Sequence, residues 1–313
     1  MYSFNPPSIR LPNGVLSLDS GGENVFVSHA HSDHVPSLRN CKSLLASQAT
    51  LDLIAARRPS FKHSKHAVPS VFSGLTKFYS SGHVLGGEML LAQGDGASFF
   101  YTGDFKTSDS LTVHGAKPVE CDELIVETTY GKPGFAFQER EQIYAQIAAW
   151  VKEKSGKGIV VLGGYSLGKA QDLVKCLNEY AGITPIVFDD IARINEVYVK
   201  HGVQLDFIAS DSQEAEAELG KNFVAVLPMH KVSPALAMRL SKHYGKRVYT
   251  GVATGWANSF NYGVDAAFPL TDHCDYQQLM DFVEACAPKK VHYIHGFAKE
   301  FAQDLRKRGF NAR

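Results

Sequence analysis

Apolar residues in the first third of the chain fall in short runs cut by Gly, Asn, Asp and Ser, the pattern of strands joined by tight turns. Pro12-Asn13-Gly14 separates two such runs and predicts a hairpin. Asn24 to Ser28 reads as a short buried strand, Ser98 to Tyr101 as another, and Leu124 to Val126 as a third. An early helix includes Leu51, Leu53 and Ile54. The period then lengthens: Gln138 to Lys154 reads as a helix, and apolar strands follow at Gly158 to Leu162, Thr184 to Phe188, Phe223 to Leu227 and Arg247 to Thr250. Helices follow the first two of these, and the alternation predicts a parallel α/β segment. Val291 to Ile294 forms a late strand, and Phe301 and Leu305 lie on a closing helix.

At 313 residues the chain exceeds what one compact core usually takes. Its 32 basic and 32 acidic residues cancel, which argues against tight nonspecific binding of long nucleic acid through overall charge. Local clusters remain. Arg57, Arg58, Lys62, His63, Lys65 and His66 crowd after the first helix, Lys152, Lys154 and Lys157 precede a Gly-rich strand, and Arg239, Lys242, Lys246 and Arg247 close another helix. The first residues show neither a basic leader nor an apolar stretch, and no run is long enough to span a bilayer. The expectation is a cytoplasmic protein without a membrane partner. Five scattered cysteines, never at zinc-knuckle spacing, read as free thiols, with Cys274 pointing into the core.

The run His29-Ala30-His31-Ser32-Asp33-His34 leaves the Asn24 strand carrying four metal-ligand side chains. On an extended segment His29 and His31 point the same way and can grip one ion, while Asp33 and His34 face a neighbouring one. Imidazole suits zinc, iron or manganese, and a carboxylate lets a second divalent ion sit close by. Two more candidates follow their own strands: His83, within Ser81-Gly82-His83-Val84-Leu85-Gly86-Gly87, and Asp104, after Thr102-Gly103, the natural bridging carboxylate. A His-rich loop alone reads as a solvated surface, and a Gly-Asp pair alone as a turn. In this order and spacing they read as a two-metal site.

These positions resemble the metallo-β-lactamase fold superfamily, whose His-x-His-x-Asp-His loop, later His and later Asp they match in order. The resemblance implies a four-layer α/β/β/α sandwich, in a superfamily that spans lactamases, thioester hydrolases, lactonases and nucleases. Later residues narrow it. Glu127 closes the Leu124 strand ahead of Thr128-Thr129-Tyr130-Gly131, His273 lies in Phe268-Pro269-Leu270-Thr271-Asp272-His273-Cys274-Asp275, and His295-Gly296 follows the Val291 strand. These resemble the three additional motifs of the β-CASP nucleases. The resemblance divides the chain into a first core part over 1–133, an inserted parallel α/β β-CASP domain over 134–257 and a second core part over 258–313. Tyr165-Ser166-Leu167-Gly168-Lys169-Ala170-Gln171, Ile194-Asn195-Glu196-Val197-Tyr198 and Ala253-Thr254-Gly255-Trp256-Ala257 look like the ligase-associated DNA exonucleases of that group, relatives of Artemis-like repair nucleases. Cys274 departs from the small residue usual there, and the chain bears no fused ligase or helicase.

By this resemblance His29, His31 and His83 hold one ion, Asp33, His34 and His295 the other, and Asp104 bridges both. The ions are two divalent metals, Zn2+ or Mn2+, which lower the pKa of a shared water and offset transition-state charge. Asp33, Glu127 and His273 carry the catalysis, with His273 giving a proton to the leaving oxygen and Glu127 fixing its tautomer. The Gly-rich turn before Lys169 approaches the phosphate-loop pattern, but Ala170 stands where a hydroxyl would ligate magnesium, so it does not argue for ATP. It reads either as a phosphate contact through Lys169 and Ser166 or as a plain strand-to-helix turn. Arg57, Arg58 and Lys62 are further candidates for nucleic-acid contact. The implied activity is a metal-dependent DNA exonuclease of repair acting on strand ends, associated with a ligase and a helicase. An RNA-processing β-CASP ribonuclease, a small-molecule ester or thioester hydrolase and a silent binding subunit are the alternatives.

Overall fold

The computed structural model describes residues 2–4, 7–61, 72–94 and 96–313, and Lys62 lies outside them. The described residues form a mixed α/β protein with three sheets. Its described residues form two compact units, one over the segments up to Asp109, Val113–Ala136 and His273–Arg313, the other over Ser110–Thr112 and Phe137–Asp272.

The first unit begins with β1 (Tyr2–Phe4), β2 (Pro7–Leu11), β3 (Gly14–Leu18), β4 (Asn24–Phe26) and β5 (Ser43–Leu45), which form one sheet in that order. Leu11 pairs with Gly14, so Pro12-Asn13 is the two-residue hairpin turn. Helix α1 (Gln48–Arg57) follows, capped by Ser47, whose hydroxyl accepts from the Thr50 N–H. Then come β6 (Thr76–Ser80), β7 (Glu88–Gly94), β8 (Ala97–Tyr101) and β9 (Glu123–Glu127).

The second unit supplies α2 (Arg140–Ser155), β10 (Ile159–Gly164), α3 (Lys169–Cys176), β11 (Ile186–Val187), α4 (Asp189–Lys200), β12 (Ile208–Ala209), α5 (Gln213–Leu219), β13 (Val224–Pro228), α6 (Pro234–Tyr244), β14 (Val248–Ala253) and β15 (Ala266–Phe268). Its six strands are all parallel, in the order β12-β11-β13-β10-β14-β15. β10 is buried along its whole length, as a central parallel strand covered on both faces must be. A return to the first unit at residue 258 does not match this sheet, because Ala266–Phe268 pairs with Gly251–Ala253 and keeps the chain in the second unit up to Asp272. The sequence hid this strand because it is three residues long and opens directly after an Asn- and Gly-rich loop.

The chain closes in the first unit with α7 (Tyr276–Cys286), β16 (Lys290–Ile294) and α8 (Ala298–Lys307). β16 lies parallel to β9 at the edge of the second sheet, ordered β16-β9-β8-β7-β6. Alternation divides this sheet between two cores. Leu90, Ala92, Phe99, Tyr101 and Ile125 pack against Ile9, Leu16, Leu18 and Phe26 of the first sheet, while Met89, Leu91, Phe100, Leu124 and Val126 pack against Leu279, Phe282, Val283, Phe301 and Leu305 of α7 and α8. Cys274 is fully buried in the second of these cores.

Candidate metal centre

The first unit brings its candidate ligands together at strand ends. The loop after β4 delivers His29, His31 and His34; the loop between β6 and β7 delivers His83; the turn after β8 delivers Asp104. His29 Nε2 lies 2.9 Å from His31 Nδ1, which lies 3.1 Å from His83 Nε2. Asp104 Oδ2 stands 3.7 Å from both His29 Nε2 and His83 Nε2. Donor atoms bound to one tetrahedral ion at about 2.1 Å stand about 3.4 Å apart, so four converging donors of this kind fit a single divalent cation. His34 Nε2 reaches the same carboxylate oxygen, 3.4 Å from Asp104 Oδ2, with its ring 4.2 Å from that of His29. Asp33 Oδ2 is 3.9 Å from His34 Nε2 and its side chain is 79% exposed. The exposed His295 ring lies 5.6 Å from that of His34. Three imidazoles and a carboxylate thus form a tight cluster, and Asp33 and His295 flank His34 on an open side.

One residue that the sequence pattern did not flag organises this cluster. Asp19, at the end of β3, accepts the His34 Nδ1–H at 2.7 Å, the Tyr101 hydroxyl at 2.8 Å, the Ser28 N–H at 2.6 Å and the Ser28 hydroxyl at 2.5 Å. Ser28 Oγ also lies 3.0 Å from His29 Nδ1. One carboxylate therefore fixes two imidazoles, His34 directly and His29 through Ser28, and turns both Nε2 atoms toward Asp104. Within Leu18-Asp19-Ser20-Gly21-Gly22 it reads as a turn residue; its left-handed φ of 46° is a strain that only the folded chain reveals.

The electrostatics follow from burial and pairing. Burial opposes charge on His34, but the Asp104 and Asp19 carboxylates outweigh it and push its pKa up to about 11. Burial, reinforced by the neighbouring imidazoles, holds His29 well below its ordinary value. Asp104 is held low against its own burial by His34, His273 and His29. An anion among crowded imidazoles is the arrangement a cation would complete.

Backbone contacts hold the loops. The cap residue Ser47 and Thr50 of α1 both donate to the Gly86 carbonyl, at 2.7 and 2.8 Å, and tie α1 to the His83 loop. Gly86 has φ +72°, and a Cβ there would meet the Thr50 nitrogen at 2.7 Å. Arg57 donates to the Ala30 carbonyl between His29 and His31, and Arg58 to the Val35 carbonyl at 3.4 Å. These two arginines therefore brace the ligand loop, with Arg58 itself exposed. Gly296, at φ +56°, passes so close to the Thr128 carbonyl that a Cβ would sit 2.1 Å from it, and His295 shares its left-handed backbone at 58°.

Glu127 ends β9 fully buried, and His273 opens the closing segment of the unit. His273 Nδ1–H donates to Glu127 Oε1 at 2.9 Å, and Glu127 Oε2 accepts the Thr129 N–H at 2.7 Å. The His273 ring stands 4.7 Å from that of His83. Asp104, Glu127 and His273 also have donor atoms within 4.8 Å of one another.

The second unit treats Lys169 differently from a phosphate contact. The residue is 2% exposed and its ammonium sits 2.8 Å from Asp272, beside an Arg140 that pairs with Asp172 and donates to the Thr271 carbonyl. A cation buried on a carboxylate is structural glue. Gln171 accepts the Gly168 N–H at 2.7 Å and donates to the Ser166 carbonyl at 3.1 Å and to Asn195 at 2.8 Å, so the turn is closed by its own side chain. Ser166 keeps partial exposure.

No family model matches the chain. It is 34% identical over 300 residues to a probable DNA ligase of Opitutus terrae, covering 92% of this chain and 28% of the ligase. It is 27% identical over 290 residues to the 5' exonuclease Apollo of Danio rerio, covering 87% of this chain and 48% of Apollo. An RNase J-like protein of Methanocaldococcus jannaschii is 27% identical over 188 residues, covering 52% of this chain and 45% of that protein. The chain spans less than half the length of each of these relatives. With Apollo and the RNase J-like protein both β-CASP proteins, and with the ligand cluster at its strand ends, this chain belongs to the β-CASP group of metallo-β-lactamase-fold nucleases.

Proposed function

We propose that the protein is a metal-dependent DNA exonuclease that hydrolyses phosphodiester bonds at strand ends during repair. The observation that carries this reading is the His273–Glu127 pair beside the ligand cluster, an imidazole whose Nδ1 is held by a buried carboxylate while its ring stands 4.7 Å from that of His83. A leaving alkoxide needs a proton, and a tautomer-fixed imidazole is a donor suited to it. The donor set, hard carboxylate plus imidazole without thiolate, fits Zn2+ or Mn2+. In this reading His29, His31, His83 and Asp104 hold one ion, and His34, Asp33 and His295 hold a second that shares Asp104. Two such ions would supply an acidified water and neutralise the charge gathering on phosphorus. Asp19 and Arg57 keep the ligands oriented, and Glu127 keeps His273 oriented. The architecture that goes with it is the four-layer αββα sandwich carrying an inserted β-CASP domain, in a cytoplasmic protein that works alongside a ligase and a helicase.

A second reading, an RNA-processing nuclease, is favoured by the similarity to the RNase J-like protein. Incubating the protein with labelled single-stranded DNA, duplex DNA and RNA of one sequence, with Zn2+ and Mn2+ separately, decides between them. Degradation of DNA ends with RNA spared supports the exonuclease; RNA cut in preference favours the second reading. Thioester turnover without any nuclease activity would sink both.

A further inference from the structure

Residues 219–264 contain Lys221, Lys231, Arg239, Lys242, Lys246 and Arg247 and no Asp or Glu, in a chain whose 32 basic and 32 acidic residues balance only overall. The second unit turns part of this stretch into a face. α6 places Leu236, Leu240 and Tyr244 in a cluster with Val232, Val252, Tyr262 and Val264. Helical spacing then sends Ala235, Met238, Arg239 and Lys242 to the opposite side, where all four are exposed, Met238 at 68%. Arg239 and Lys242 form no ion pair among the described residues.

The loop after β14 returns beside the first turn of this helix, since a Cβ on Gly263 would lie 3.5 Å from Pro234 Cγ. This loop carries a series of rings, Trp256 to Phe260 at 6.1 Å and Phe260 to Tyr262 at 6.5 Å between centroids. Phe260 is 63% exposed, and the residues between the rings are Ala257, Asn258, Ser259 and Asn261. This part of the second unit thus exposes a large apolar ring, Phe260, together with two cations that have no counter-charge among the described residues, features that a ligand would cover.

We propose that the outer face of α6 and the 256–262 loop form a track for single-stranded nucleic acid, with Arg239 and Lys242 meeting phosphates and Phe260 stacking on a base. An acidic protein surface would satisfy the cations but gives no use for the ring series, whereas an unpaired strand uses both. The track takes its ligand class from the nuclease reading, yet its binding is measurable without cleavage.

The test uses the whole protein in chelator with a fluorescein-labelled thymidine 20-mer, following anisotropy over a range of salt. Changing Arg239→Ala together with Lys242→Ala should lower the slope of log affinity against log salt by about 1.4, two single-strand phosphate contacts. Phe260→Ala should weaken binding about 5- to 150-fold with the slope unchanged, and Phe260→Tyr should restore it. Affinity and slope unchanged in all variants would overturn the track. So would a loss in the double variant that is matched on polyglutamate while Phe260→Ala has no effect, the signature of an acidic protein partner. A protein that shows the binding signatures but never cuts DNA or RNA with Zn2+ or Mn2+ would retain the track and lose the nuclease reading; one that cuts while the variants bind normally would do the reverse.

Discussion

His34 gives its Nδ1–H to Asp19 Oδ2 at 2.7 Å, and that bond leaves Nε2 as the nitrogen 3.4 Å from Asp104. Asp19→Ala removes the orienting carboxylate of His34 and, through Ser28, of His29. Metal affinity should fall about 10- to 100-fold, the usual effect of losing such a partner. Titration of the metal-free variant with Zn2+ against a competing chelator checks it; wild-type affinity would make Asp19 a fold residue only.

The ligand count predicts about two divalent ions per chain at saturation, because the candidate donors exceed what one tetrahedral ion uses. Elemental analysis after dialysis measures it, and a single ion at saturation would remove Asp33 and His295 from the ligand set. Asp104→Ala should lower occupancy of both positions. Because the Asp104 and Asp19 carboxylates raise the pKa of His34, and a ligand nitrogen must be deprotonated, loading should also release a proton, visible as a buffer-dependent heat.

His273 and Glu127 should separate proton transfer from metal binding. His273→Ala is expected to retain its ions and lose roughly a hundredfold in turnover, the range of a general acid. Glu127→Gln should lose less, and the double variant less than the product of the two. A phosphorothiolate substrate, whose leaving sulfur needs little protonation, should restore the His273 variant. Loss of an ion from His273→Ala would instead make it a ligand through the Asp104–Glu127–His273 grouping.

Much of this centre is legible in the sequence, because the ligands are clustered in one loop or flagged by glycines at strand ends. His29, His31, His34, His83 and Asp104 converge, and Glu127 meets His273 across 146 positions of sequence. Asp19 was not legible: a lone Asp before Ser-Gly-Gly has the local chemistry of a turn, and only the packing of β3 against β4 carries it beneath His34. Lys169 fails in the opposite direction. A basic residue in a Gly-rich turn looks available, and burial on Asp272 is a tertiary fact. The 258 boundary moved because a three-residue strand has no periodicity to read.

Lys169→Ala should therefore act on stability. It leaves two buried carboxylates, Asp272 and Asp172, with Arg140 as their one cation among the described residues, a change that costs about 3–5 kcal/mol. Thermal unfolding should show the loss, and Asp272→Asn in the same chain should recover part of it. A fully stable Lys169→Ala protein with weakened nucleic-acid binding would return the lysine to a phosphate role.

Glu88, at the start of β7, is raised by burial to a pKa of about 7. A carboxyl raised on folding contributes stability that is full below its unfolded value near 4.5 and is lost as pH rises toward 7. Glu88→Gln should thus be more stable than the parent at pH 8, by about 1–2 kcal/mol after discounting partial exposure, with the difference vanishing near pH 4. Denaturant midpoints at the two pH values measure it, and a difference independent of pH would assign the effect to packing.

β16 joins the second sheet only at its edge, pairing Lys290–Ile294 with Glu123–Glu127. During synthesis β9 must therefore wait, its outer hydrogen bonds unpaired, while the whole second unit emerges. His29, His31, His83 and Asp104 all precede that interval, so a nascent chain can assemble the tight cluster early, whereas His273 and His295 arrive last. A chain stalled before β16 could take up an ion without the residues that place a proton on a leaving group. Metal uptake would then mark the first half of folding, and phosphodiester hydrolysis its completion.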